Sequence, residues 1–186
     1  MSAGRSLADY IRVYEGALAD DFCDRVVARF EAATAHHAQV DVPGTRRFTA
    51  LTLSQTPGWE DVHELLLGHL LDSLKLYVRD TGVRSIPGDL AYEAFRIKRY
   101  RAGGAEQFGV HVDISNAARA RRCLVAFWYL NDVREGGETE FPSLGVAVKP
   151  KKGLMLMFPP AFMYPHAGRP PVSGTKYIVG SYLLYV

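Results

Sequence analysis

The spacing of apolar residues along the chain changes character about halfway. In the first half it is helical. Asp20 stands as an N-cap, and Phe22, Val26, Val27 and Phe30 then recur at three- and four-residue intervals, with neither Gly nor Pro between Gly16 and Pro43 to interrupt a helix. After the Pro57-Gly58 breaker, Val62, Leu66, Leu70, Leu74 and Tyr77 keep the same period and predict a second helix between Trp59 and Val78. A short strand from Tyr10 to Tyr14, with Ile11 and Val13 on one face, precedes both. From Tyr92 onward the texture is that of strands. Ala94, Arg96, Lys98 and Tyr100 alternate with Phe95, Ile97 and Arg99, and Leu124 to Leu130 and Leu154 to Phe158 are runs of strand length. Together the two textures predict an α+β domain, its helices packed on one side of a β core. Residues 1–186 are expected to form a single domain, with helical support over about 1–90 and the β core over about 91–186.

Composition narrows the class of protein without selecting a function. The chain is 48% hydrophobic and 23% charged, ordinary for a globular domain with one buried core. Its 22 basic and 20 acidic residues are interspersed and leave a net charge of +2, so neither nucleic acid nor a membrane surface is an expected partner. No apolar run approaches the roughly 20 residues of a membrane span, and Met1 to Leu7 runs into Ala8-Asp9-Tyr10 rather than an apolar leader. A cytoplasmic protein is the expectation. Cys23 and Cys123 would suffice for one disulfide but fit better as two buried thiols in a reducing compartment.

The chemistry starts at His111-Val112-Asp113, where an imidazole and a carboxylate at i and i+2 share one face if the segment is a strand. On its own this pair reads better as part of a surface loop. With His166, the two histidines and one carboxylate form the facial triad that holds Fe(II) and keeps coordination positions open. Downstream, Lys176 opens the β-type run Lys176-Tyr177-Ile178-Val179-Gly180-Ser181-Tyr182. A lysine buried there needs an anion, which a co-substrate carboxylate would supply; otherwise it is a solvated strand end.

With these residues in view, residues 91 to 185 resemble the 2-oxoglutarate and Fe(II) oxygenases of prolyl 4-hydroxylase type. The resemblance is carried by His111-Val112-Asp113, Tyr129-Leu130-Asn131-Asp132, Gly136-Gly137-Glu138-Thr139-Glu140-Phe141-Pro142, Pro165-His166-Ala167-Gly168 and Gly174-Thr175-Lys176-Tyr177, in that order. It implies a double-stranded β-helix, or jelly roll, with N-terminal supporting helices. It makes His111, Asp113 and His166 the iron ligands and Lys176 the partner of the distal carboxylate of 2-oxoglutarate. Tyr129 resembles the family tyrosine that shares that carboxylate, and Tyr100 one that also faces the co-substrate, although either fits a half-buried packing role as well. The implied cofactors are Fe(II), 2-oxoglutarate and dioxygen, and the family admits ascorbate as an accessory. The implied reaction is hydroxylation of a C–H bond, with release of succinate and carbon dioxide. A carboxylate at Asp113, rather than a small residue, argues against halogenation. The implied substrate is a prolyl or other peptidyl residue of a peptide or protein, with free amino acids and small metabolites open on the same scaffold.

Two other classes stand beside this reading: a jelly-roll binding or sensor protein without turnover, and a cupin-type metalloenzyme, whose usual extra histidine near the first ligand is absent here. The segments between the motifs read more plainly. Gly136-Gly137 is a turn with Phe141-Pro142 as its packed exit, Phe127 and Tyr129 share one strand face while Ala126 and Trp128 share the other, and Cys123 is a small buried hydrophobe. Arg119, Arg121 and Arg122 read as a solvated loop or, at an active-site mouth, as a contact for an acidic or polymeric substrate.

Overall fold

The computed structural model describes residues 4–84, 86 and 88–186. Both expected helices are present, as α1 (Asp20–Ala32) and α2 (Glu60–Thr81). The cap of α1 differs from expectation. Ala19 occupies the N-cap and no side chain caps the helix, while Asp20 is the first helical residue, with its carboxylate near the positive end of the helix dipole. The first half is also less helical than its apolar spacing suggests. It contributes β1 (Arg12–Tyr14), β2 (Ala38–Val42) and β3 (Arg46–Thr52). A stretch free of Gly and Pro permits a helix without requiring one. Here α1 stops at Ala32, Val40 faces Phe48 across a hairpin, and β3 gains partners on both of its edges. Of the apolar pair expected on one face of the first strand, Ile11 is buried and precedes β1, whereas Val13 is largely exposed.

The remaining strands are β4 (Leu90–Tyr92), β5 (Arg96–Tyr100), β6 (Gln107–His111), β7 (Arg122–Tyr129), β8 (Thr139–Phe141), β9 (Val146–Val148), β10 (Met155–Phe158), β11 (His166–Gly168) and β12 (Lys176–Tyr185). All described pairings are antiparallel and run β1-β10-β7-β12-β5-β3-β6-β11-β8-β9, with β2 added to β3 and β4 to β12. This path curls on itself. Val125 and Tyr129 of β7 and Leu156 and Phe158 of β10 meet Phe141 of β8 and Val148 of β9 in one internal cluster, although these strands lie far apart along the sheet. The outer face carries the helices. Phe22, Val26 and Phe30 of α1 and Val62, Leu66 and Leu70 of α2 pack on Phe95, Ile97, Ala126, Trp128 and Val179. The fold is therefore a jelly roll backed by helices. Between its two halves is a cavity of about 820 Å³, walled mainly by β3, β5, β6, β7, β11 and β12.

β12 is the longest strand and the most crowded, pairing with β7 on one edge and with β5 and β4 on the other. Gly180 stands where it is pressed closest. A Cβ there would meet the Phe127 side chain and sit 2.6 Å from the Ala126 carbonyl oxygen. Gly180→Ala is accordingly expected to destabilise the fold by about 1–3 kcal/mol through overpacking. Urea unfolding would read this as a lower midpoint at unchanged slope, and an unchanged midpoint would mean that β12 can move away from β7 freely.

Candidate active site

His111 is the last residue of β6 and His166 the first of β11, and the two are register partners across that antiparallel pair. Asp113 lies two residues beyond the strand end, buried, with its carboxylate turned back to the histidines. Aromatic packing holds both rings. Phe108 stacks on His111 with centroids 3.6 Å apart and planes within 3°, and Phe158 and Phe141 flank His166 at 4.7 and 5.7 Å. Each Nδ1 faces a backbone carbonyl two residues earlier, Gly109 at 2.9 Å for His111 and Tyr164 at 3.1 Å for His166. A carbonyl only accepts, so each Nδ1 donates and each Nε2 is left with its lone pair. Burial pushes His166 down to about 4, which keeps the ring neutral and able to ligate at neutral pH.

Asp113 completes the set. Its Oδ1 accepts a 2.7 Å hydrogen bond from the Tyr182 hydroxyl and lies 3.6 Å from His111 Nε2; Oδ2 lies 3.4 Å from His166 Nε2. Burial alone would push this carboxyl up, but the two adjacent imidazoles and the hydrogen bond from the Tyr182 hydroxyl outweigh it and hold the group well below the usual carboxylate range. Oδ2 is nonetheless buried with no hydrogen-bond donor among the described residues. An ionised oxygen in that position is costly unless a cation sits against it. One donor atom from each of His111, Asp113 and His166 falls within 4.8 Å of the others. Two imidazoles and one carboxylate on one side of an open cavity suit a ferrous ion.

Behind Asp113 lies a shell that sequence reasoning did not identify. Arg122, the first residue of β7, pairs with Glu93 through two bonds of 2.6 and 2.8 Å, donates to the Asp113 carbonyl at 3.0 Å and lies 3.6 Å over the Tyr182 ring. The expected arginine cluster therefore divides. Arg121 is exposed and bonds the Tyr185 carbonyl, Arg119 lines the cavity mouth, and Arg122 is structural to the site. The alternation of β12 carried a usable signal, because Lys176, Ile178, Gly180 and Tyr182 share one face of it and all line the cavity.

Lys176 begins β12 opposite Tyr100 of β5 and is only 2% exposed. Its Nζ donates to the Gly137 carbonyl at 2.9 Å and the Arg169 carbonyl at 3.3 Å, and lies 4.6 Å from the centre of the Tyr100 ring. Burial pushes it down to about 7, Glu138 opposing and Lys98 adding to the effect. The Gly136-Gly137 turn thus does more than shape the chain. Both residues have positive φ, and the turn presents the carbonyl that holds the lysine. Tyr100 lines the cavity beneath Lys176, buried, its hydroxyl without a partner among the described residues. Tyr129 stands one layer behind the wall, its hydroxyl donating at 2.7 Å to Thr139, which does line the cavity. Phe127, on the same strand face as Tyr129, reaches the cavity itself.

Tyr182→Phe removes the one donor to Asp113 Oδ1 and leaves the triad in place. Divalent metal affinity is expected to fall about tenfold to a hundredfold, as is typical when an outer partner of a ligand is lost. Titration with Co(II), followed by its visible absorption, measures this directly, and wild-type affinity in Tyr182→Phe would remove the tyrosine from the metal site.

Residues 95–184 match the 2OG-Fe(II) oxygenase superfamily. A protein of Arabidopsis thaliana described as probable prolyl 4-hydroxylase 9 is 34% identical over 86 aligned residues, 36% of this chain and 29% of that protein, so the match spans under a third of the plant protein's length. Among solved structures, the viral collagen prolyl hydroxylase of Paramecium Bursaria Chlorella virus-1, in complex with 2-oxoglutarate, superposes with a TM-score of 0.72 at 23% identity over 95% of this chain and 97% of that one. A prolyl hydroxylase of Trichoplax adhaerens, bound to a hypoxia inducible factor peptide fragment, gives 0.73 at 17% identity over 95% and 84%. At these identities the structural matches establish the shared fold, and the sequence match covers the strands that carry the triad and Lys176. Over residues 95–184 the chain is therefore similar to the 2OG-Fe(II) oxygenase superfamily, and the relatives it resembles are described as prolyl hydroxylases.

Proposed function

We propose that this chain is an Fe(II)- and 2-oxoglutarate-dependent dioxygenase that hydroxylates a C–H bond, with a prolyl or other peptidyl residue as substrate and succinate and carbon dioxide as by-products. The observation that carries this reading is the buried Asp113 Oδ2, with no donor among the described residues, 3.4 Å from an imidazole nitrogen whose lone pair is free. The peptidyl substrate is drawn from the relatives, two of which are described as prolyl hydroxylases of collagen or in complex with a peptide fragment.

His111, Asp113 and His166 would hold the iron, which when bound supplies the dioxygen chemistry that no side chain can. Lys176 would take the distal carboxylate of 2-oxoglutarate, with Tyr100 beneath it to fix its height in the cavity. Tyr182 and Arg122 hold Asp113 in position from behind. Phe48, Phe108 and Phe127 give the cavity apolar walls that keep bulk water from the reacting end.

Replacing His111, Asp113 or His166 by Ala is expected to abolish succinate formation from 2-oxoglutarate and to remove Fe(II) from the purified protein, because a triad short of one ligand loses both affinity and geometry. Full turnover in any one of the three variants would sink the assignment.

Lys176→Ala should separate the two functions, weakening 2-oxoglutarate about tenfold to a hundredfold, the worth of one charge-assisted contact, while leaving iron content unchanged. A lysine titrating at about 7 in the ligand-free protein also gives the binding a pH dependence. The dianion holds Lys176 protonated, so above pH 7 binding must take up a proton and the dissociation constant rises by up to about tenfold per pH unit. Below about pH 6 the curve should be flat. Isothermal titration in buffers of different ionisation enthalpy would count that proton, and Lys176→Arg should abolish the slope. A wild-type constant unchanged from pH 6 to 9 would show that the lysine does not meet the co-substrate.

A further inference from the structure

With the metal and the co-substrate assigned as proposed above, the reacting end of the cavity is close to neutral: the ferrous ion and Lys176 offset Asp113 and the two carboxylates of 2-oxoglutarate. Further cations remain. Lys98 of β5 and Arg46 of β3 both line the cavity, each half-buried, and neither side chain makes a hydrogen bond or an ion pair with any described residue. Arg46 Nε is fully buried and unsatisfied. Of the other cations that line the cavity, Arg122 is met by Glu93, Lys176 by two carbonyls and Arg119 by the Ser115 hydroxyl, while Arg96 is exposed to solvent.

The two unpaired groups converge on one ring. Lys98 Nζ lies 5.8 Å and Arg46 Cζ 5.5 Å from the centre of Phe108, and Lys98 lies 5.4 Å from Phe48. Phe108 is the ring stacked on His111, so the gap between the cations opens beside a metal ligand. Contact with aromatic faces compensates a cation in part, but two like charges over one phenyl repel each other. Burial and the charges of Arg96, Arg122 and Arg46 together push Lys98 down to about 8, with only Asp113 opposing. Along β5 the inward residues are Tyr100, Lys98 and Arg96, so Lys98 stands one two-residue step, about 7 Å, nearer the mouth than the Lys176 level. An anion seated between Lys98 and Arg46 would bind between the co-substrate anchor and the entrance, where a substrate must lie.

We propose that the oxidised substrate carries a carboxylate, and that Lys98 and Arg46 grip it across the face of Phe108. This fixes the substrate class by charge and leaves two sources for the carboxylate, the α-carboxylate of a free amino acid or an acidic side chain beside the target residue of a peptide.

The test uses the full chain loaded with Fe(II) and 2-oxoglutarate without oxygen, so that binding is read without turnover. The probes are two matched pairs, L-proline against L-prolinamide and N-acetyl-Pro-Asp-amide against N-acetyl-Pro-Asn-amide, titrated by calorimetry. In wild type at least one carboxylate should bind about tenfold to a hundredfold more tightly than its amide, and which pair discriminates identifies the source. Lys98→Met and Arg46→Met should each reduce that preference and together remove it, Lys98→Arg should keep part of it, and 2-oxoglutarate affinity should stay within about twofold throughout. Equal binding within both pairs, or a preference that survives the double variant, overturns the inference. So does a loss of 2-oxoglutarate affinity in Lys98→Met equal to that of Lys176→Ala, since the cations would then serve the co-substrate. If wild type binds neither iron nor 2-oxoglutarate, the functional reading fails first; if it binds both and no pair is discriminated, only the carboxylate inference falls.

Discussion

The antiparallel pairing of β6 with β11 is the contact on which the site depends. It joins the two halves of the curled sheet, and its register sets His111 directly opposite His166. A slip of one residue would turn one of the rings to the other face. The aromatic neighbours act on the same constraint, since Phe108 lies flat on His111 and Phe141 and Phe158 close around His166. The backbone carbonyls of Gly109 and Tyr164 then choose the tautomer, so ring position, ring rotation and protonation are fixed before any metal arrives.

Buried charge sorts the rest of the molecule into framework and function. Arg99 meets Glu31 at 2.8 Å and Arg122 meets Glu93 at 2.6 Å, each a cation paired within the chain. Around the cavity the pattern changes. Asp113 Oδ2 has no donor, Lys176 has carbonyls but no carboxylate, and Lys98 and Arg46 have no polar partner among the described residues. A folded chain tolerates such groups where a ligand completes them, and the order along the cavity, with the His111, Asp113 and His166 cluster and Lys176 inside and Lys98 and Arg46 toward the mouth, is the order in which ligands would enter under the proposed function.

How far the sequence disclosed this differs from residue to residue, and the differences have causes. The helices announced themselves because an amphipathic period over α2 needs no distant partner to be read. The hairpin of β2 and β3 did not, since its strand character comes from pairing with β5 and β6, more than forty residues on. The triad was legible through an i, i+2 spacing and one distant histidine in a familiar order of motifs. Tyr182 and Glu93 were not, because their role consists in reaching Asp113 and Arg122 across the fold, which no local spacing encodes. Lys98 was seen only as one alternating residue of a strand; its significance lies in having no hydrogen-bond or ion-pair partner among the described residues, and that is visible only when its surroundings are known.

Two other strands of the cavity wall, β5 and β12, also explain why the site needs α1. On β5 and β12 the inward residues are Lys98, Tyr100 and Lys176, and the residues between or beside them, Arg99 and Tyr177, point to the helical face. Both outward groups end on one carboxylate: Arg99 donates to Glu31 of α1 at 2.8 and 2.9 Å, and the Tyr177 hydroxyl donates to the same side chain at 3.1 Å. Arg99 also donates to Thr49 of β3, the strand that carries Arg46 and Phe48. A single residue of the helix therefore ties together, from behind, the three strands whose front faces hold Lys176, Lys98 and Arg46. Alternation along a strand makes this arrangement possible, because every second residue is available for anchoring while its neighbours are committed to the cavity. The helical layer thus sets the spacing of the charges on the far side of the sheet, and the chemistry of the cavity rests on packing that it never touches.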